Sequence, residues 1–517
     1  MSLVEHAPVL AIAVPLMAAF TLPIINRLGK NIRDAWIILS LGLTEYIILL
    51  LTRDVVSDGI RVYVLGAKSP GVTLPLTDFI PIRIILEVDA FSAFITTASV
   101  SIALLVAVYS LQFMRKYGSL DKYYGLLLLL TAAMIGLVFT GDLFSMFVFL
   151  ELLSISSAAL IAFHIHRGES LEAAFKYMVV SSVGALMVLF AVGFLYSQYN
   201  ILNIAALADV IEYTFLDKVA LTLLVAAFAM KCGAVPLHMW TPDAYGEAPA
   251  PVSSVLVVAS QAALYALFRI SFTLFGGLPL IEIIAWFIIL LGVLSMFIGV
   301  TMAIHQSDIQ RLMAYHAISQ TGYMLLGIGV GLAVIQNPVA LNSFGVKAME
   351  GGIFHIINHA LYKGLLFLTA GALIYRTGTK DLNGMGGLAR RMPLTTIFFL
   401  IGALAIAGFP PFNGFASKLM IYESVFRFNP LLSVIAMLVS ILTLASFMKV
   451  FHSAFMGPEL KEYEGVREVP KTMLVAMMVL AALILLFGLL PDKIVEWLIN
   501  PAAWALIDRL KYVGGVL

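Results

Sequence analysis

The chain has 517 residues, of which 61% are hydrophobic and only 12% are charged. A composition this apolar excludes a soluble domain and indicates a membrane protein with many spans. The formal net charge of +1 gives no basic surface for nucleic acid. Cys232 is the single cysteine, which excludes a disulfide or a cysteine-ligated iron–sulfur cluster within the chain. We therefore predict no cofactor in this chain.

Apolar segments long enough to cross a bilayer occur throughout the sequence. A membrane helix needs about 20 residues, and hydropathy divides the chain into about fourteen such segments. The first one lacks a basic leading region and a small-residue cleavage site, so we expect a span and not a removed signal peptide. We predict an all-α membrane protein with spans near 7–26, 34–52, 89–113, 122–140, 143–164, 171–196, 218–237, 251–275, 282–304, 309–332, 346–376, 394–426, 430–455 and 471–490.

The one long connection covers residues 54–88 and is rich in Val, Gly, Pro and Thr. It predicts a small extended hairpin on the outer surface. Lys and Arg concentrate in the loops that follow odd-numbered spans, and such loops lie on the inner side of a membrane. Both termini are therefore predicted to face outward. The inner loops carry Arg27, Lys30, Arg33, Arg115, Lys116, Lys122, Arg167, Arg311, Arg376, Lys380, Arg390, Arg391, Lys461, Arg467 and Lys471.

Full charges stand inside several apolar segments. Glu151 lies in the fifth predicted span and Lys231 in the seventh, and Lys363 and Lys418 repeat the pattern in later spans. An ionisable residue at the bilayer centre costs about 2.5–3.5 kcal/mol on insertion scales, so it usually has a partner or belongs to an ion path. These charges predict a protein that moves protons or cations.

Two spans are broken beside a buried lysine. In the seventh, KCGAVPLHMWTPD begins at Lys231, and in the twelfth, AGFPPFNGFASK ends at Lys418. Proline removes a backbone donor and clashes with the preceding turn. Broken spans at corresponding positions of two halves predict an ion site between inverted repeats. We predict inverted five-helix repeats at spans 4–8 and 9–13, with domains at 1–113, 114–276, 277–456 and 457–517.

The eleventh span carries a row of polar residues. His355, His359 and Lys363 recur every four residues and share one face of the helix. His316 and Gln320 have the same spacing in the tenth span. Because imidazole titrates near neutrality, these rows suit stepwise proton transfer. Packing histidines and a metal-binding histidine pair are the alternatives, but no acidic third ligand lies on the row.

Five runs of sequence make a family resemblance specific. They closely resemble the antiporter-like family shared by respiratory complex I, Mrp cation/proton antiporters and energy-converting membrane-bound hydrogenases. In length and detail the chain looks most like the D-type subunit of the Mrp antiporters and its archaeal hydrogenase or sulfane-sulfur-reductase counterparts. The runs are VFLELLSISS, AMKCGAVPLHMWTPDAYGEAPAPVSSVL, SDIQRLMAYHAISQTGYMLLG, FHIINHALYKGLLFLTAGALI and IAGFPPFNGFASK.

The resemblance implies roles for individual residues. Glu151 and Lys231 would form a switchable pair, and Lys418 would be the exit residue of the twelfth span. Alignment of SQAALYALFR places Gln261 where the family commonly has a central lysine. Glutamine carries no proton at neutral pH, so this departure predicts a modified or partly silenced module. The full predicted pathway is Glu151, Lys231, His238, Gln261, His316, His355, His359, Lys363 and Lys418.

The resemblance also implies a function. The chain would be a proton-translocating subunit of a multisubunit respiratory or cation/proton antiporter complex in the plasma membrane. Its partners would be other membrane subunits, with H+ and Na+ as candidate ions and an iron–sulfur redox module as a candidate peripheral partner. Whether the complex is an oxidoreductase stays open, because the chain has no redox centre. A silenced scaffold and a stand-alone secondary transporter are the alternatives.

Overall fold

The computed structural model describes residues 3–65, 84–279 and 281–516, and these are mostly helical. Short 3₁₀ turns lie at Met114–Lys116, Leu382–Gly384 and Lys461–Tyr463, and π-helical turns lie at Ile270–Leu274, Leu341–Gly345, Phe451–Met456 and Val495–Ile499. The α-helices are α1 Ala7–Arg27, α2 Lys30–Asp58, α3 Ala90–Phe113, α4 Leu120–Phe139, α5 Leu143–Ile161, α6 Gly168–Tyr199, α7 Ile204–Val210, α8 Phe215–Lys231, α9 Trp240–Glu247, α10 Ala250–Arg269, α11 Ile281–Ile304, α12 Ile309–Ala333, α13 Pro338–Ala340, α14 Val346–Thr377, α15 Pro393–Ala407, α16 Asn413–Phe428, α17 Pro430–Val450, α18 Lys471–Leu489, α19 Pro491–Ile494, α20 Asn500–Ile507 and α21 Arg509–Gly514.

Eleven helices of the described chain are long and apolar enough to cross a membrane. They are α1 to α6, α10, α11, α14, α17 and α18, some extended by the adjoining turns. The other three predicted segments correspond to α8 with α9, to α12, and to α15 with α16. α12 carries polar residues such as Arg311, His316 and Gln320, and the other two segments are interrupted by loops, which is why they fall outside the eleven.

The structure contains two paired strands where the hairpin is predicted. β1, Arg61–Val64, pairs in antiparallel fashion with β2, Ile85–Val88, and Val64 lies opposite Ile85. Most of the sequence between the strands, residues 66–83, lies outside the described residues. β2 is buried along its whole length and leads directly into α3, whose N-terminal cap is Asp89. The side chain of Asp89 accepts a hydrogen bond from the Ser92 amide at 2.9 Å.

Polar residues concentrate in the inner helices of the bundle. The membrane-length window of α14 is entirely buried and that of α10 is 94% buried, whereas those of α17 and α18 are only one third buried. The exposed apolar side chains of the outer helices suit contact with lipid. The sequence did not predict structure in the tail, but α20 packs against α3 and α21 against α7.

Glycines let α11 and α12 approach each other closely. A Cβ atom added at Gly299 would lie 2.6 Å from the backbone nitrogen of Ser319, and one at Gly292 would lie 2.9 Å from the Gly322 carbonyl oxygen. Small residues serve this purpose in membrane helix pairs, where packing replaces the hydrophobic driving force. The contact therefore leaves no room for a side chain at these positions.

We predict that Gly299→Ala lowers stability because the new methyl group overlaps the α12 backbone. Overpacking of this kind costs about 1–3 kcal/mol. The measurement is the thermal unfolding midpoint of the purified protein in detergent. Gly193→Ala in α6 is the matched control, since its Cβ meets nothing within 4 Å and alanine favours helix. Equal midpoints for the two variants would contradict the close contact.

Candidate functional site

The first helix break places Lys231 at the end of α8. Gly233 follows with a φ of 75°, a conformation that glycine adopts without strain. The Val235–Pro236 peptide bond is cis. The Val235 amide donates to the hydroxyl of Ser295 at 2.9 Å, so a neighbouring helix satisfies a backbone group that the break frees. Lys231 itself is 5% exposed.

The ammonium of Lys231 contacts a hydroxyl group and not the predicted carboxylate. Its Nζ donates to Ser154 Oγ at 2.5 Å. Ser154 lies on α5, one turn after the half-buried Glu151, so both project from neighbouring positions of one helix surface. No ion pair joins Glu151 to Lys231, both of which the structure describes. The predicted ion pair is therefore not formed in this structure, and Lys231 is bound to Ser154, one turn of α5 away from Glu151.

The second break repeats this arrangement at Lys418. α15 ends at Ala407, Gly408 has a φ of 77°, and the Pro410–Pro411 bond is cis. Lys418 Nζ donates to the Ile406 carbonyl at 2.8 Å and to Ser440 Oγ at 3.0 Å. The last carbonyls of a helix lack intrahelical partners, so the end of α15 supplies an acceptor to the buried cation.

Lys418 also faces an aromatic ring. Its Nζ lies 4.7 Å from the centroid of the Tyr323 ring, within the range of a cation–π contact. A Cβ atom at Gly408 would lie 2.9 Å from Cδ of Lys418, so the glycine leaves room for the lysine stem. The cation is thus enclosed by a carbonyl, a hydroxyl and a π face.

His355 lies beside this second break. Its Nδ1 is 2.9 Å from Ser417 Oγ on α16, and its Nε2 is 3.2 Å from Gln320 Oε1 on α12. The Tyr362 hydroxyl is 3.2 Å from the same Nε2. Because Ser417 directly precedes Lys418, the contact brings α14 to the helix that carries the lysine. His355 is fully buried.

Gln261 joins α10 to the polar row of α14. Its Nε2 lies 2.8 Å from His359 Nδ1 and donates to the Ile356 carbonyl at 3.0 Å. Since the amide nitrogen is the donor, Nδ1 accepts, and this network assigns the imidazole proton to Nε2. That Nε2 is buried without a partner in the described part of the chain. Gln261 thus contacts the polar row of α14 directly.

Lys363 and His316 both lie near the ring of Phe447. Lys363 Nζ donates to the Met313 carbonyl at 2.5 Å and lies 5.9 Å from the centroid of the Phe447 ring. The His316 ring lies tilted against that ring with centroids 4.7 Å apart, and its Nε2 is 2.8 Å from Ser446 Oγ. Both residues are fully buried. Here again an oxygen atom faces each polar group.

His238 is separate from these contacts. It lies in the break between α8 and α9, and its buried Nδ1 has no hydrogen-bond partner among the described residues. Hydrogen bonds to hydroxyl, amide and carbonyl groups hold the other predicted nitrogen-bearing residues. The sequence did not single out the hydroxyl residues Ser154, Tyr362, Ser417 and Ser440. Tyr362 directly precedes Lys363, and Ser417 directly precedes Lys418. Hydroxyl residues are too frequent in membrane helices for that signal to single them out.

No group of three or more His, Cys, Asp or Glu residues in the described chain is arranged to hold a metal ion. Cys232 is buried as a free thiol. The site consists of amines, imidazoles, an amide, hydroxyls and the carboxyl group of Glu151. This chemistry suits proton transfer between groups that both donate and accept hydrogen bonds.

A sequence model of the family described as "NADH:quinone oxidoreductase/Mrp antiporter, TM" matches residues 140–443, more than half of the chain. The A-type subunit of the Na+/H+ antiporter of Alkalihalophilus pseudofirmus is 31% identical over 97% of this chain, and the match spans 63% of that relative's own length. The D-type subunit of the same organism's antiporter is 30% identical over 90% of each chain. The archaeal membrane-bound sulfane sulfur reductase contains a chain with a TM-score of 0.88 and 28% identity, covering 99% of this chain and 100% of that one.

We predict that Ser154→Ala destabilises the fold because the Lys231 ammonium loses its hydroxyl acceptor. A hydrogen bond to a charged group contributes about 1.5–3 kcal/mol. The readout is the thermal midpoint in detergent. Ser99→Ala is the matched control, because that buried hydroxyl donates to the Ile95 carbonyl of its own helix. A Ser154→Ala protein as stable as the Ser99→Ala protein would show that Lys231 does not depend on this contact.

Proposed function

The chain belongs to the NADH:quinone oxidoreductase/Mrp antiporter membrane family, and from this premise we propose that it carries protons through a multisubunit complex. The complex is a respiratory or cation/proton antiporter assembly in the plasma membrane, and other membrane subunits are its partners. Any redox chemistry, with its iron–sulfur clusters, belongs to other subunits, and Na+ is the candidate counter-ion. The similarity to a D-type antiporter subunit over 90% of each chain supports this assignment.

The row of buried nitrogen groups is the observation that carries the proposal. Lys231, Lys363 and Lys418 are each at most 5% exposed, and His355 and His359 lie on the α14 face between them. Such groups are costly within a bilayer and are retained for ion paths. Each lysine is held by neutral oxygen acceptors. A proton can therefore leave without a carboxylate being stranded in the protein interior.

Glu151 and Lys231 form the entry step of the path. A carboxylate within ion-pair distance stabilises the ammonium, and the attraction falls as the distance grows. Approach of Glu151 would hold the proton on Lys231, and return of the lysine to Ser154 would release it toward His359. Gln261 positions His359 for this step and carries no proton itself. His355 and Lys418 then take the proton to the second break, with water bridging the longer gaps.

The proposed architecture has fourteen spans in which α4 to α10 and α11 to α17 form inverted five-span repeats. The broken spans, α8 with α9 and α15 with α16, are each the fourth of their unit, which supports the repeats. In both, a glycine of positive φ lies beside the break, Gly233 in one and Gly408 in the other. The ion pairs of Lys176 and Arg311 with Asp243, and of Lys380 with Glu247, gather at one face. This charge supports an inner face there and outward termini.

A silenced scaffold is the second candidate function, and Gln261 is the observation that favours it. An amide at this point interrupts any chain of groups that pass a proton through protonated intermediates. The hydrogen bond from Gln261 to His359 favours the conducting function instead, because the link between α10 and α14 persists. The two functions predict different effects of a substitution at the first break on proton flux.

We predict that Lys231→Ala and Glu151→Gln each stop proton flux in the purified complex reconstituted into liposomes. Loss of a proton-transferring group lowers the rate by about 100-fold or more. Flux is followed with a pH-sensitive dye, and assembly by size-exclusion chromatography. Lys218→Ala is the matched control, since Lys218 lies exposed on the same helix α8. It should leave flux unchanged.

Three outcomes separate the candidates. Loss of flux in an intact complex supports the conducting function. Unchanged flux in both variants contradicts it and supports the scaffold. Loss of assembly would instead assign Glu151 and Lys231 to a structural ion pair.

A further inference from the structure

A second row of polar side chains runs along α10, outside the path described above. Gln261, Tyr265, Arg269 and Thr273 recur every four residues, and this spacing places them on one face of the helix and its terminal turn. Arg269 donates to the Tyr265 hydroxyl through Nε at 3.1 Å and to Thr273 Oγ1 through Nη1 at 3.3 Å. The row therefore begins at Gln261, beside His359, and continues to the end of α10.

The row ends at a buried ion pair next to a surface cavity. Arg269 pairs with Asp89, and both side chains are 1% exposed. Asp89 also contributes to the wall of an open cavity of about 350 Å³ formed by the end of α2, the start of α3 and the tail helices. Asp58, Asp508 and Lys511 are the other charged residues of that wall. The far end of the α10 row thus lies one residue layer from the surface.

Glu87 is a second buried carboxyl in this cluster. It precedes Asp89 by two residues at the end of β2, and this spacing directs both side chains to one side. Glu87 is fully buried, and neither carboxyl oxygen has a hydrogen-bond partner among the described residues. The hydroxyl of Tyr512 is the polar group that faces Glu87, and it too makes no hydrogen bond of full geometry within the described chain. Two carboxyl groups, those of Glu87 and Asp89, therefore lie near the guanidinium of Arg269, which is already paired with Asp89.

The surroundings of Glu87 favour its neutral form. Three titratable or charged groups face Glu87, namely Arg269, Asp89 and Tyr512. Tyr265 is also close enough to interact electrostatically with Glu87. Burial raises the pKa of the Glu87 carboxyl well above its usual range, and Arg269 only partly opposes this. An orphaned buried carboxyl needs a proton or another cation. The geometry of the cluster offers no further positive side chain for the task among the residues described.

We propose that Glu87 is a proton-binding carboxyl and that the α10 row gives the mid-membrane site a second proton outlet at the cavity beside Asp89. The inference rests on the proposed proton-carrying function. The Tyr265 hydroxyl accepts a proton from water at the Gln261 end and passes its own proton on toward Glu87. That proton adds to one carboxylate oxygen of Glu87 to give the neutral acid, and its release past Asp89, which lines the cavity, to water restores the carboxylate. Arg269 stays charged and fixes Asp89.

The test uses the reconstituted complex, with Lys418→Ala to close the path at the second break. Lys418→Ala should retain part of the wild-type proton flux, which then leaves through α10. Addition of Glu87→Gln should lower the remaining flux about tenfold or more, to the level of Lys231→Ala. Glutamine has the shape of the protonated acid, so the cluster keeps its packing. Glu45→Gln in the Lys418→Ala protein is the matched control, since Glu45 is a carboxyl of α2 that accepts a hydrogen bond from Ser101 at 2.6 Å and not from a residue of the row.

Infrared spectroscopy tests the proton on Glu87 without any transport. The resting complex should show a protonated carboxyl C=O band that shifts in D2O and is missing from Glu87→Gln. An unchanged band overturns proton binding. Absence of flux in Lys418→Ala alone, or equal flux with and without Glu87→Gln, overturns the outlet. Unchanged flux in Lys231→Ala would instead contradict the proposed function, and the infrared result would still decide the state of Glu87.

Discussion

Each buried lysine of this molecule needs an oxygen atom to accept its hydrogen bonds, and the arrangement of the helices depends on this requirement. Lys231, Lys363 and Lys418 each donate to a hydroxyl or a backbone carbonyl, and none of them meets a carboxylate within ion-pair distance in the described chain. A carbonyl inside an intact helix already accepts a bond from its own helix, so a second donor must use its remaining lone pair, as Lys363 does at Met313. Ending α15 early frees the Ile406 carbonyl, so the second break supplies the acceptor that the neighbouring lysine requires.

The same constraint explains the layering of the bundle. Helices α10, α12 and α14 carry the polar groups and are almost entirely buried, whereas the outer helices present apolar side chains. Water cannot satisfy polar groups in the bilayer core, so protein partners must surround them. Close contact of α11 with α12 through Gly292, Gly299 and Gly322 helps to seal this interior. Gln261, His316 and the polar row of α14 therefore lie on the most enclosed helices, whereas Lys231 and Lys418 lie on α8 and α16.

The sequence predicted the features that depend on local chemistry. Apolar length identified the eleven helices of membrane-spanning length in the described chain, and Pro236 and Gly408 marked the two breaks that the structure contains. The sequence could not identify the partner of Lys231, because the choice between Ser154 and Glu151 depends on a side-chain rotamer. The Glu87 cluster was equally hidden. It joins β2, α10 and the tail helix α21, which meet only in the folded chain, and the sequence predicted no structure in the tail.

Gln261 shows how a buried polar position can satisfy its neighbours without carrying a charge. A lysine in its place would need the same two acceptors, the Ile356 carbonyl and His359 Nδ1, and would add a further buried cation near Lys363. The amide fills both contacts without that charge. It also holds His359 in the neutral tautomer whose free Nε2 is available for a proton relay. Gln261 is thus a neutral residue that begins the α10 row and contacts the α14 row at His359.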